Sequence, residues 1–68
     1  MSGAEALWFG PVVRPAREGV YEVQIPYLDQ RAFSRWTGEF WCCWAVTPER
    51  AQMCRWPGIR DGYDWKAN

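Results

Sequence analysis

The sequence predicts a small α+β domain that is mostly β: a three- to four-stranded antiparallel sheet with one short helix over about 48–54. Three observations carry that prediction. Tyr21, Val23 and Ile25 alternate with Glu22 and Gln24, the period of a strand with one buried face. Two aromatic-rich runs, 31–36 and 39–46, meet at Thr37-Gly38, as the arms of a hairpin do. Thr47-Pro48-Glu49-Arg50 then combines a hydroxyl N-cap, a proline at the first helical position and an acid in the first turn. With 68 residues, there is room for one core and therefore one domain.

In chain order, residues 1–6 are expected to fray. Leu7, Trp8 and Phe9 form an apolar knot closed by Gly10-Pro11. Val12 and Val13 are expected as a short edge strand, since Pro15 is tolerated only at an edge or a strand end. Residues 14–18 make a loop ending at Gly19, and the alternating strand over 20–25 is stopped by Pro26. A two-residue primed turn at Thr37-Gly38 sets the hairpin register, placing Trp36 opposite Glu39, Ser34 opposite Trp41 and Phe33 opposite Cys42. One face then carries Phe33, Arg35, Phe40, Cys42, Trp44 and Val46, the other Ala32, Ser34, Trp36, Trp41, Cys43 and Ala45. Trp36 and Trp41 become diagonal neighbours. The helix must stop before Trp56, because a residue preceding proline avoids helical geometry. Residues 59–65 close the fold through a short strand or a turn at Asp61-Gly62, and 66–68 fray.

Composition removes several function classes. Eight basic residues balance eight acidic ones, so no global field draws the chain to nucleic acid or an anionic membrane. Seven of the bases are arginine and Lys66 is the sole lysine; arginine's planar fork stacks on aromatics and suits interfaces. No apolar run approaches the roughly 20 residues that span a bilayer. The start of the chain carries neither a basic nor an apolar leader region, and the expected location is the cytoplasm. Cys42, Cys43 and Cys54, an odd number, fit reduced thiols there, although Cys54 pairs with Cys42 or Cys43 in an oxidising setting.

No catalytic or metal site is expected. The chain has no histidine to activate a thiol or complete a zinc site, and neighbouring Cys42 and Cys43 point to opposite faces of a strand. The carboxylates of Glu22, Asp29, Glu39, Asp61 and Asp64 fit no convergent motif and read as a solvated surface. The six glycines are scattered and form no phosphate loop. A non-enzyme without a cofactor is the expectation.

Six tryptophans are the informative excess. A domain this short buries only about 60% of its unfolded surface, so indole surface is expected to remain outside. The candidate binding residues are Arg35, Trp36, Trp41 and Trp44, with Trp56 and Trp65 behind them. Trp, Tyr and Arg are the residues of protein–protein hot spots. Two readings stand beside that one: Trp36 and Trp41 as plain core, and a single-stranded nucleic-acid platform in which rings stack beside Arg31 and Arg35. A homodimer that covers leftover indoles is a further route to stability for so small a domain. In the C-terminal segment Arg55, Trp56, Arg60, Tyr63 and Trp65 fit either cation–π stabilisation or part of a partner surface.

Trp8, Arg14-Pro15, Gly19-Val20-Tyr21-Glu22-Val23, the hairpin Arg35-Trp36-Thr37-Gly38-Glu39-Phe40-Trp41 and the closing Trp56-Pro57 together resemble a group of short phage and prophage proteins of unknown function. The resemblance runs from Trp8 to Pro57. Here Gly19 follows Pro15 by four positions where the group has three, and an Asp-Gly tail follows the closing Trp-Pro. The resemblance implies a phage-type accessory protein acting on a host protein, as an inhibitor of a host defence or another host process. It transfers no functional residues.

Overall fold

A computed structural model describes residues 7–58 and 62–67. Its strands are β1 (Trp8–Phe9), β2 (Gly19–Gln24), β3 (Ala32–Trp36) and β4 (Asp64–Lys66), with one helix, α1 (Pro48–Met53). The strands form one antiparallel sheet in the order β1-β4-β2-β3. This is the mostly β, α+β architecture that the alternation and the helix cap predict. No helix among the described residues is long and apolar enough to cross a membrane.

Register sorts the side chains into two rows that cross all four strands. Phe9, Trp65, Val23 and Ala32 are successive cross-strand partners on the core face. Trp8, Lys66, Glu22 and Phe33 are partners on the opposite face. Period-two burial in β3, where Ala32, Ser34 and Trp36 are buried and Phe33 and Arg35 half-buried, follows from the pleat. The core is Tyr21, Val23, Ile25, Ala32, Trp36, Trp41, Tyr63 and Trp65, with Phe9, Leu28 and Trp44 packed at its margin. Its rings meet edge-on or tilted, with Tyr21–Trp65 at 5.1 Å, Trp36–Trp41 at 5.2 Å and Trp41–Tyr63 at 5.9 Å between centroids. Such geometry adds about 0.5–1.5 kcal/mol per pair beyond area burial.

Several element boundaries differ from expectation. Val12 and Val13 are not a strand. The Val13 N–H donates to the Gly10 carbonyl in a turn, and the first strand falls earlier, at Trp8–Phe9. Pro11 removes a ladder donor at that point, while the Trp65 indole N–H holds the strap by donating to the Val13 carbonyl at 2.7 Å. Lys66, expected to fray, is the last residue of β4.

The second arm of the hairpin departs most. Trp36 lies directly opposite Trp41 rather than diagonal to it, so residues 37–40 form a four-residue loop. The Thr37 hydroxyl explains the longer turn: it accepts from the N–H groups of Glu39 (3.2 Å) and Phe40 (3.1 Å) and outcompetes a two-residue connection. Gly38 supplies the required positive φ of 101°. Beyond Trp41, Ala45 pairs with Phe33, one residue out of step with the Trp36–Trp41 pair, so a bulge falls within 42–44. The expected strand over 39–46 is therefore an irregular segment. Its residues 41–43 are shared between β3, through Cys42 N–H to Arg35 O, and the 56–58 segment, through Cys43 N–H to Trp56 O and Gly58 N–H to Trp41 O.

The α1 N-cap is as predicted, with Thr47 Oγ1 accepting from the Arg50 N–H at 3.2 Å. Six residues are too few for a helix to persist unaided. Ala51, fully buried, anchors it, and a Cys43–Cys54 disulfide ties its C-cap to the irregular segment across 6.4 Å between Cα atoms. The expectation of three reduced thiols is thereby corrected. Cys43 pairs with Cys54, while Cys42, fully buried, stays a free thiol.

Candidate protein-binding surface

The structure separates the six candidate binding residues. Trp36, Trp41 and Trp65 are 4%, 5% and 6% exposed and belong to the core. Of the readings open for Trp36 and Trp41, the structure favours plain core over a binding surface: both lie on the face that packs against Tyr21, Tyr63 and Trp65. The two remain close together, as the shared face predicted, but their surface is consumed by folding. Trp44 is half-buried against the same cluster.

Arg35 is not available as a recognition fork either. Its Nε–H donates to the Cys54 carbonyl at 3.2 Å, closing the C-terminal end of α1. A cation suits that place, since the last carbonyls of a helix are unsatisfied and carry partial negative charge.

Trp56 alone of the six stands outward, with 76% of its surface exposed. Its backbone is nevertheless fixed. The Trp56 carbonyl accepts from Cys43 N–H at 2.9 Å, Gly58 N–H donates to Trp41 O at 2.8 Å, and Cys42 bridges to Pro57 in antiparallel fashion. The disulfide lies two residues before it. Gly58 permits this close approach, because a β-carbon there would stand 2.5 Å from the Cys42 carbonyl oxygen and against the Tyr63 hydroxyl. That carbonyl already accepts from Ser34 (2.6 Å) and Tyr63 (3.3 Å), two buried hydroxyls. The segment is therefore seated on the core through polar contacts while its indole faces out.

Met53, 75% exposed, is a neighbour that the sequence reading did not single out. Helical spacing contains the signal: with Ala51 facing inward, Met53 lies roughly 200° around the helix and must face solvent. Arg50 precedes Met53 by three positions and shares its face.

Elsewhere on the non-core face of the sheet, the charges are paired internally. Glu22 accepts from Arg31 at 3.1 Å and pairs with Lys66 at 3.3 Å. Arg31 also lies over Phe33 and Lys66 over Trp8, at 5.3 and 6.0 Å from the ring centroids. The Arg31 hydrogen bond, above all, holds the Glu22 carboxyl below its ordinary value of 4.5; burial opposes it, and Lys66 adds to it.

No protein-family model, curated protein or solved structure matches this chain.

Proposed function

We propose that the chain is a non-enzymatic, phage-type accessory protein that binds a host protein, with Trp56 as its anchor. The observation that carries the binding reading is the pairing of 76% exposure at Trp56 with a backbone held by the hydrogen bonds from Cys43 N–H to the Trp56 carbonyl and from Gly58 N–H to the Trp41 carbonyl. An indole on a mobile loop would lose conformational freedom on binding; a pre-positioned one forfeits little, and Trp is the leading hot-spot residue. The phage-type origin, the inhibitory role and action in the host cytoplasm rest on the resemblance carried by Trp8, Gly19–Val23, the Arg35–Trp41 hairpin and Trp56-Pro57. Self-association and single-strand nucleic-acid binding are the competing readings. The second is disfavoured because Arg31, Arg35 and Lys66 already serve intramolecular partners.

Photo-crosslinking tests the proposal. A photoreactive phenylalanine analogue is placed at position 56, and separately at position 27, where Tyr27 is 78% exposed. Irradiation in the producing cells is expected to give a discrete adduct from position 56 and none of that mass from position 27. Equal, diffuse labelling from both would remove the case for a Trp56 anchor. An adduct of twice the chain mass would assign the surface to self-association.

A further inference from the structure

We propose that the Cys43–Cys54 bond is a thiol-sensitive latch: a small thiol opens it, α1 melts, and the sheet stays folded. A latch of this kind goes beyond the Trp56 reading and stands whether or not that indole anchors a partner. The bond joins Cys43, in the irregular segment, to the C-cap of α1, and the whole helix lies between its two ends. Cys43 and Cys54 are each partly exposed, which leaves the bond open to a small thiolate. Cys42 is fully buried and takes no part. Exposure is a mark of labile, regulatory disulfides.

The ties on α1 are unequal. Six residues do not hold a helix alone. The helix packs against β2 and β3, but Ala51 is its buried residue, and a single methyl group removes little area from water. The Thr47 cap and the bond from Arg35 Nε–H to the Cys54 carbonyl each shift the balance about fivefold. Closing a loop between cysteines 11 positions apart shifts it on the order of a hundred-fold, so the crosslink outweighs either. The core is held by other means. Its cluster of Tyr21, Val23, Trp36, Trp41, Trp65 and their neighbours contains neither cysteine of the bond. Within the closed loop, Trp44 packs against that cluster and Ala45 pairs with Phe33, so the chain up to Ala45 keeps its place when the bond opens. What is released is 47–54, and with it the contact to Arg35 and the helix surface that carries Met53.

The exchange balances with thiols alone. A small thiolate attacks one sulfur; a mixed disulfide forms as the Cys43–Cys54 bond breaks, and the departing cysteine leaves as its thiolate. A second small thiolate attacks the first one's sulfur, forming the small disulfide and releasing the other cysteine. Two small thiols are oxidised, the protein disulfide is reduced by two electrons, and the protons the thiols gave up end on Cys43 and Cys54. The same steps in reverse, driven by the small disulfide, close the latch.

The test holds the whole chain, labelled with carbon-13 and nitrogen-15, in glutathione buffers poised as in a cytosol and as in an oxidising compartment. Mass spectrometry after acid quench and alkylation reads the bond. In the oxidising buffer, Pro48–Met53 should show helical α-carbon shifts. In the cytosolic buffer the bond should be lost and those shifts should fall to random-coil values. The indole N–H signals of buried Trp36, Trp41 and Trp65 should stay in place, and α1 should return on reoxidation. Cys43→Ser with Cys54→Ser should give the opened spectrum in both buffers, which separates an open latch from attached glutathione.

A bond that survives the cytosolic buffer would overturn the latch in favour of a structural crosslink. Helical shifts that persist after reduction would overturn it as well, because packing would then be holding α1. Collapse of the indole signals together with α1, in either protein, would assign the bond to the whole fold instead of one element. A double variant that still responds to glutathione would overturn it by moving the response to Cys42. Every readout is taken without a partner, so the crosslinking at position 56 stands or falls separately.

Discussion

The hairpin of Trp36 and Trp41 and the short segment around Trp56 carry the same residue type, yet they do opposite things. The hairpin tryptophans come from a pleated pair and fall on the face that Tyr21, Tyr63 and Trp65 complete. Trp56 follows a helix that ended one turn earlier, and its segment is held by backbone bonds and a disulfide instead of by its ring. An indole's fate therefore depends on what positions its backbone. Where ladder register aims the ring inward, the ring is core; where polar and covalent ties hold the chain, the ring is free to face a partner.

The most direct way to break this contrast is to truncate each indole in turn. Trp41→Ala should cost about 3–5 kcal/mol, the range for a large aromatic removed from a core, which would leave so small a domain largely unfolded. Trp56→Ala should change stability by no more than about 0.5 kcal/mol, as at exposed positions without special ties. Urea unfolding followed by circular dichroism measures both. Comparable losses would mean that Trp56 also packs, and the anchor reading would lose its basis.

The covalent tie comes next. The Cys43–Cys54 bond closes a short loop that contains the whole of α1. Loop-closure entropy assigns such a crosslink about 3 kcal/mol. Cys43→Ser with Cys54→Ser should lose about that much and reduce helical signal, since six helical residues do not persist alone. The bond also reports on location. Alkylation under denaturing conditions should modify Cys42 alone in oxidised protein and all three cysteines in protein kept in a reducing cytosol.

Gly58→Ala probes the polar seat. A methyl group there would stand 2.5 Å from the Cys42 carbonyl oxygen, an atom fixed by Ser34 and Tyr63. Overpacking of this kind costs about 1–3 kcal/mol. The expected signature is a lower urea midpoint together with faster amide exchange at Cys43 and Gly58, the two N–H groups that hold the segment. Unchanged exchange at both would show that the seat does not depend on this approach.

How far the sequence foretold these regions follows from the range of the forces involved. The alternation in β2 and the Thr47-Pro48 cap are local patterns, and both elements form where they predict. The hairpin was legible as a pairing but not in register. Thr37's hydroxyl bonds lengthen the loop by two residues, and the bulge within 42–44 arises because 41–43 also pairs with a segment some fifteen residues later. Non-local pairing leaves no trace in a window of neighbouring residues. The same holds for the site. Tryptophan content pointed to an exposed indole, but only tertiary packing decides that Trp56 is the one and that Arg35 closes a helix. The Cys43–Cys54 choice likewise depended on which face of an irregular strand meets α1.

The smallest expected effect sharpens the comparison from the Glu22 row of the sheet, where charges are paired internally and present little to a partner. Arg31, with Lys66, holds Glu22 below its ordinary value of 4.5. A carboxyl whose value is lowered by folding contributes stability that is fully present above that ordinary value and is lost as pH falls through the lowered one. Wild-type urea midpoints should therefore decline between about pH 5 and pH 2 more steeply than those of Glu22→Gln, and the two should run parallel at higher pH. Because the Trp56 segment shares no residue with this row, the variant should leave Trp56 emission and the position-56 crosslink unchanged. Coupled changes at both places would mean that the Glu22 row and the Trp56 segment are linked through β3 and α1, and that the division between a closed row and a presenting segment is too sharp.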